Sequence, residues 1–373
     1  MSGPLANLKI LDFTTLLPGP YGTMMLADMG AEVLRVEAPG RFDLLRAMQP
    51  KDHKTSYAHR ALNRSKKSIA VDLKDPSGKD KILKLVDSYD IVIEGFRPGV
   101  MERLGLSYEQ LQQVKPNIIY ASITGYGQTG PFKDRPGHDI NYQAIAGIAS
   151  YNGRRESGPC PTAFQIADIA GGSCHLVMGL LAAVIHRMET GEGQAIDISM
   201  TDATFAMNAM FGAATIATDL APEREALPLN GGTFYDFYTT KDGRHMSVGS
   251  LEPAFLTKLL GALNHPELLP KGFSDKPEDQ RELKHILAKT FKTKTLKEWQ
   301  SIFDSQDACV EPVLSLPEAC DHPQIRSREM IVEVDCLDGP PIKQAAFPIK
   351  FSKSEPTYRH AGVDAGHHNE EFP

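Results

Sequence analysis

Strand-like and helix-like patterns alternate through the first 125 residues of this 373-residue chain, and that alternation constrains the fold more than any other feature. "LKILDF" (8–13) and "AEVLRVE" (31–37) are β-like, and "YGTMMLADMG" between them reads as a helix closed by Gly30. "SIAVDL" (68–73), a helix from Pro76 to about Tyr89, and "DIVIEGF" (90–96) repeat the unit; "PNIIYASITG" (116–125) adds another apolar strand. Strands separated by crossover helices pair in parallel, and such a sheet is covered on both faces.

The chain is too long for one small core, so about two domains are expected. A helix-rich stretch from about 168 to 218 is interrupted by the strand-like "QAIDISM" (194–200). "TFYDFYTTKDGRHMSVGS" (233–250) reads as two strands around Asp242-Gly243. The helices "EDQRELKHILAKTF" (278–291) and "TLKEWQSIF" (295–303) follow, then a βα return in "ACVEPVLSLPEACDHP" (308–323) and late strands "MIVEV" and "AAFPIKFS". The reading is a large α/β domain over 1–225, completed by 326–373, and a small α+β domain over 226–325.

A hydrophobic content of 41% with 23% charged residues is ordinary for a soluble globular chain. No apolar run reaches the roughly 20 residues that cross a bilayer. The longest, "CHLVMGLLAAVIHRM" (174–188), carries two histidines and reads as a buried helix, so no membrane insertion is expected. The N-terminus lacks the basic-then-apolar layout of a signal peptide. Five cysteines form no CxxC pair, which suits free thiols in a reducing cytoplasm. A net charge of −7 argues against general nucleic-acid binding, so an anionic ligand needs a local basic site. "NRSKKSIAVDLK" (63–74) offers Arg64, Lys66, Lys67 and Lys74, although such a run is more often a solvated face.

"GYGQTG" (125–130) matches G-x-G-x-x-G and follows a strand pattern. The dinucleotide fingerprint also needs its third glycine in the opening turn of a helix, whereas Gly130 is followed by Pro131 and the polar "FKDRPG". Nicotinamide chemistry is therefore disfavoured.

"RPGHDINYQAIAG" (135–147) places a histidine and an aspartate at a helix start that Gly137 or Asp139 could cap. Free N–H groups there can bind a carboxylate, phosphate or thioester oxygen. Thirty residues on, Asp168 in "IADIAGGS" precedes another helix. Each residue alone is readily explained as a cap or an exposed side chain. Together, on loops after a parallel sheet, they form a candidate acid/base pair.

A wider set of segments carries a family resemblance: "LLPGPYGTMMLADMGAEVLRVEAP" (16–39), "IEGFRPGVMERLGL" (93–106), "YASITGYGQTGP" (120–131), "PGHDINY" (136–142), "DIAGGS" (168–173), "TGEGQAIDISM" (190–200), "VGSLEPAF" (248–255) and "DACVEPVLSLPE" (307–318). Over nearly its whole length the chain resembles the family III CoA-transferases of the CaiB/BaiF type, and within them the α-methylacyl-CoA racemase branch. The branch assignment rests on "GHDINY". Transferases of this type usually carry an aromatic residue where this chain has His138, and use the aspartate matching Asp168 as a nucleophile. One departure is Ala38, where the racemase pattern can carry an arginine before the proline of "RVEAP"; Arg41 stands nearby. "AGHHNEEFP" resembles the family's late G-x-H-T-E-E segment, after which relatives normally continue as a short helix.

The resemblance implies the family fold: a Rossmann-like parallel-sheet domain plus a smaller α+β domain, assembled as an interlocked homodimer. It implies an acyl-CoA thioester as substrate, with no metal and no cofactor beyond the substrate's own CoA. His138 and Asp168 would be the two bases and Glu252 would support His138, reaching it from the partner chain. Val71, Asp72, Leu73 and Lys74 would bind the adenine and ribose end of CoA. Gly95, Phe96, Arg97 and Arg103 would meet the phosphates and pantetheine, and Gly137, Asp139, Ile140, Asn141 and Tyr142 the thioester end. Guanidinium forks suit phosphate oxygens. Racemisation beside a thioester removes an α-proton from one face and returns one to the other, so two acid/base groups must flank that carbon. The expected activity is racemisation of 2-methylacyl-CoA. The alternatives are CoA transfer between carboxylic acids through Asp168, and a non-catalytic CoA-thioester binder. The Met-rich "MTDATFAMNAMF" (200–211) could line an acyl surface or be plain core.

Overall fold

Lys9–Asp12 (β1), Glu32–Glu37 (β2), Lys66–Ala70 (β3), Ile91–Glu94 (β4), Ile119–Thr124 (β5) and Ala195–Ser199 (β6) form one parallel sheet in the order β3-β2-β1-β4-β5-β6. The computed structural model describes residues 3–41 and 43–372. Alternate residues of each strand serve opposite faces. Ile10, Val33, Ile91, Ile93, Ile119 and Ile123 pack on one face with Leu26 of the Pro18–Asp28 helix and Leu176 and Leu180 of the His175–Thr190 helix. Leu11, Leu34, Val92 and Tyr120 pack on the other with Ile82 and Val86 of the Pro76–Ser88 helix. The expected doubly covered α/β sheet is thus present. Strand order reverses direction between β1 and β4, and a crevice beyond the carboxyl ends at such a point is the usual place for a ligand in this class of sheet.

Two compact units make up the chain. The first comprises 1–146, 162–207 and 323–373, and the second 147–161 and 208–322. These limits differ from the sequence reading of 1–225 and 226–325. "INYQAIAGIASY" does not form one helix. Gly147 at φ +86° breaks it into Asp139–Ile145 and Ile148–Tyr151. Beyond the break, Arg154 pairs with Asp236 at 2.6 Å and Glu225 at 2.9 Å, and Asn230 donates to the Tyr151 carbonyl at 3.2 Å.

The second unit has an antiparallel sheet of Asp236–Thr239 (β7), His245–Val248 (β8) and Val310–Pro312 (β9). The expected hairpin turns at Asp242-Gly243, where Gly243 takes φ +75°. Tyr238, Phe291, Trp299 and Phe303 dominate its core, with the Pro277–Phe291 and Leu296–Phe303 helices supplying the last three.

Ile331–Cys336 (β10) and Gly339–Ala345 (β11) pair in the first unit. The second of these strands lies upstream of the expected "AAFPIKFS". Pro340 and Pro341 are tolerated because the ribbon has only two strands and an irregular register beside them. Phe347 instead drops into the core of the large sheet.

The apolar helical stretch is also longer than its sequence suggested. Ile166–Thr190 is continuous over 25 residues and by length and composition could cross a bilayer. Leu176, Leu180, Ala183 and Val184 nevertheless pack against the sheet, as the core helix of a soluble protein would.

Candidate active site

Loops leaving the carboxyl edge of the sheet carry most of the residues singled out from sequence. After β3, the Lys74 N–H closes a turn on the Asp72 carboxylate at 2.9 Å. Val71 is buried, Leu73 packs on the core, and the Lys74 side chain is exposed. After β4, the buried Glu94 accepts the Phe96 N–H at 2.8 Å. That bond turns Phe96 inward against the core and leaves Gly95 and Arg97 exposed. Burial pushes the Glu94 carboxyl up to about 7, against the bonds from Ser122 and Phe96 that favour its ionised form. Arg103, on the Val100–Arg103 helix, is exposed like Arg97, and neither forms an ion pair among the described residues. Arg41 bridges back to Ala38 across a tight turn, so a cation does stand on that loop.

The basic run 63–74 is neither an open anion site nor a solvated face. Arg64 is buried against Asp28 with bonds of 2.8 and 2.6 Å. Lys66 is buried 3.6 Å from Asp12 and donates to the Pro20 carbonyl; burial pushes its ammonium down to about 7. Lys67 pairs with Glu371 at 2.7 Å. Of the four cations, Lys74 alone has no partner among the described residues.

After β5, "GYGQTG" forms a loop held by the Gln128 N–H on Asp197 at 2.9 Å, and leads to a turn rather than a helix. The next helix is Asp139–Ile145, with His138 at its N-cap rather than the expected Gly137 or Asp139. The Asn141 side chain accepts the His138 N–H at 3.0 Å, fixing the backbone and leaving the imidazole exposed. Tyr142 is buried, and its hydroxyl donates to the Gly137 carbonyl at 2.6 Å. Residue 137 must be glycine, because a Cβ there would lie 2.6 Å from the Tyr142 ring. Tyr142 therefore acts as the support beneath the His138 loop, its hydroxyl proton given to the Gly137 carbonyl. Tyr126 meets its ring edge-on at 5.2 Å, and Ala167 and Met200 complete the small cluster below. Ile140 is 54% exposed beside His138. Of the Met-rich run, Met200 is core, whereas Phe205 and Met207 are exposed.

A second helix start belongs to the same unit. Ile166–Cys174 is π-helical and continues into His175–Thr190. Wide π-turns are rare and concentrate at functional sites. Gln165 is the N-cap, so Asp168, three residues in, is not used as a cap. Asp139 takes that part: its Oδ1 accepts the N–H groups of Ala167 at 2.7 Å and Asp168 at 3.2 Å. Its Oδ2 accepts from Gln143 Nε2 at 2.6 Å. Burial and the nearby Asp139 carboxylate push the Asp168 carboxyl up to about 7. A carboxyl poised there can give or take a proton at neutral pH.

Glu252 lies in the second unit, exposed at the N-cap of the Pro253–Ala262 helix. Among the described residues no group of three or more His, Cys, Asp or Glu side chains is placed to hold a metal ion. Two features were not found from sequence. Glu94 was signalled by an acid inside the apolar strand "DIVIEGF". The side-chain part of Asp139 was signalled only by the i, i+4 spacing to Gln143, which suits a hydrogen-bonded pair.

Comparison with known proteins agrees with this architecture. The chain is 36% identical to the human α-methylacyl-CoA racemase, over 90% of this chain and 85% of that protein. It is 31% identical to the human succinyl-CoA:glutarate CoA-transferase, over 95% of this chain and 82% of that protein. The crystal structure of a CAIB/BAIF family protein from Brucella suis superposes with a TM-score of 0.87 at 26% identity, covering 100% of both chains. With residues 5–369 matching the model of CoA-transferase family III, the chain belongs to that family.

Proposed function

We propose that this enzyme racemises 2-methylacyl-CoA thioesters by a two-base proton transfer between His138 and Asp168. The observation that carries the reading is the Asp139 bridge. The residue that follows His138 in the chain binds the backbone of Asp168, so the two groups come from helix starts tied to one another. In one direction His138 takes the C2 proton and protonated Asp168 returns one to the opposite face; for the other enantiomer the roles exchange. Removing the proton moves charge onto the thioester oxygen. The Asp139 N–H, in the first turn of its helix and without an intrahelical acceptor, is the donor assigned to that enolate. The Asp168 carboxyl, pushed up to about 7 by burial and the nearby Asp139 carboxylate, then works close to neutral pH, as a reversible 1,1-transfer requires.

Arg97, Arg103 and Lys74 are assigned to the nucleotide end of CoA, and Ile140 to the acyl end. Glu252 is assigned to support His138 from the partner chain of an interlocked homodimer. No cofactor beyond the substrate's CoA enters the scheme, and a reducing cytoplasm is its setting.

The competing reading is CoA transfer through an Asp168 anhydride. It uses the Asp168 carboxylate but gives His138 no step, and a nucleophile is weakened by half-protonation at neutral pH. Chiral separation of a 2-methylacyl-CoA after incubation distinguishes the two. Interconversion of the enantiomers without added acid supports racemisation; CoA appearing on an added carboxylic acid, with configuration retained, contradicts it.

A further inference from the structure

Asp139 occupies the junction of two helices and caps the one to which it does not belong. Its Oδ1 serves two N–H groups of the π-helical turn, and its Oδ2 is held by Gln143 one turn along its own helix. Capping alone would be met by a neutral acceptor such as asparagine or serine. A carboxylate adds a negative charge beside Asp168, and like charges at short range disfavour the second ionisation.

We propose that the Asp139 carboxylate is the positioning residue of this site: it locks the Asp168 backbone to the helix start that carries His138 and sets its own negative charge beside the Asp168 carboxyl. The inference rests on reading His138 and Asp168 as paired acid/base groups. The titratable group acting on Asp168 is Asp139, and Asp168 in turn raises the Tyr142 hydroxyl; both partners lie on the Asp139–Ile145 helix. From the other packed elements, Asp28 is taken by Arg64, Tyr21 faces Cys174, and His175 Nδ1 is turned to the Ala170 carbonyl. The Asp202 N–H bonds Ser199 at the start of its own helix.

The test is a carboxyl-carbon NMR titration of protein labelled at aspartate, with D168N identifying the Asp168 resonance. Asp139→Asn keeps an acceptor and removes the charge, and Asp139→Ser does the same should the asparagine variant be unstable. The Asp168 midpoint should fall by about one unit in either, and the pH profile of C2-proton exchange should move to lower pH with it. Asp139→Ala should lose about 10–100-fold in kcat with KM changed less than about twofold, and the asparagine variant should recover most of that loss. An unmoved Asp168 midpoint in D139N overturns the inference even if wild-type exchange is fast. A moved midpoint with no wild-type exchange upholds the Asp139–Asp168 coupling and removes the racemase reading instead.

Discussion

Asp168 donates its backbone N–H to the carboxylate of Asp139 at 3.2 Å, so the residue after His138 holds the residue proposed to act opposite it. The helix starts that carry His138 and Asp168 leave different parts of the chain, one after β5 and one after residue 161. The bridge lies wholly within the first unit. The placement of Asp168 is therefore a local matter of three hydrogen bonds and a buried tyrosine.

Asp168 should burden stability in a pH-dependent way. Its folded-state carboxyl, at about 7, lies above the ordinary 3.8, so the folded protein holds the proton more tightly than the unfolded chain. The penalty is absent where both states are protonated, grows as pH rises between those two values, and is complete above the higher one. Asp168→Asn removes it. Urea unfolding should show the variant more stable than wild type by roughly 1–3 kcal/mol at pH 8, discounted for solvent screening, and nearly equal to it at pH 4.

Tyr142→Phe keeps the ring in its buried cluster and deletes the bond to the Gly137 carbonyl. The carbonyl loses its partner, which should lower stability by about 1–3 kcal/mol. Loosening of the His138 loop should reduce kcat more than it raises KM, measurable in steady-state kinetics beside a denaturation curve.

The arginines should divide by burial. Arg64→Ala strands the buried Asp28 carboxylate and should cost about 3–5 kcal/mol of stability. Arg97→Ala and Arg103→Ala, both at exposed positions, should leave stability within about 0.5 kcal/mol. Each should raise KM for an acyl-CoA roughly tenfold and weaken its dependence on ionic strength. Paired thermal melts and kinetics on the three variants test this.

The parallel sheet was legible because period-2 apolar strands such as "DIVIEGF" alternate with amphipathic helices, and burial on both faces dictates that pattern. The positions of the site loops followed, since they close the carboxyl ends of those strands. What sequence could not convey was pairing between distant groups. The run from Arg64 to Lys74 reads as one basic patch, yet Asp28, Asp12 and Glu371 neutralise three of its members. The helix begun at Asp139 ends at Ile145, and the segment beyond Gly147 is held to Asp236 through Arg154, a contact 82 residues away. Asp139 looked like a cap for its own helix, and its actual acceptor geometry depends on where residue 167 arrives in space.

His138 is exposed and its loop is held by backbone, Asn141 and Tyr142, so His138→Ala should fold with a stability change within about 0.5 kcal/mol. Its exchange activity should fall by about 10²–10⁴-fold, with acyl-CoA binding retained.

The most direct measurement is deuterium uptake at C2 of a single-enantiomer 2-methylacyl-CoA in D₂O, with wild-type enzyme and no carboxylic acid acceptor. One deuterium per molecule should enter, appearing in both enantiomers as racemisation proceeds, with inversion lost in both His138→Ala and Asp168→Asn. A C2 that stays protiated while CoA passes to an added acid would contradict the two-base account.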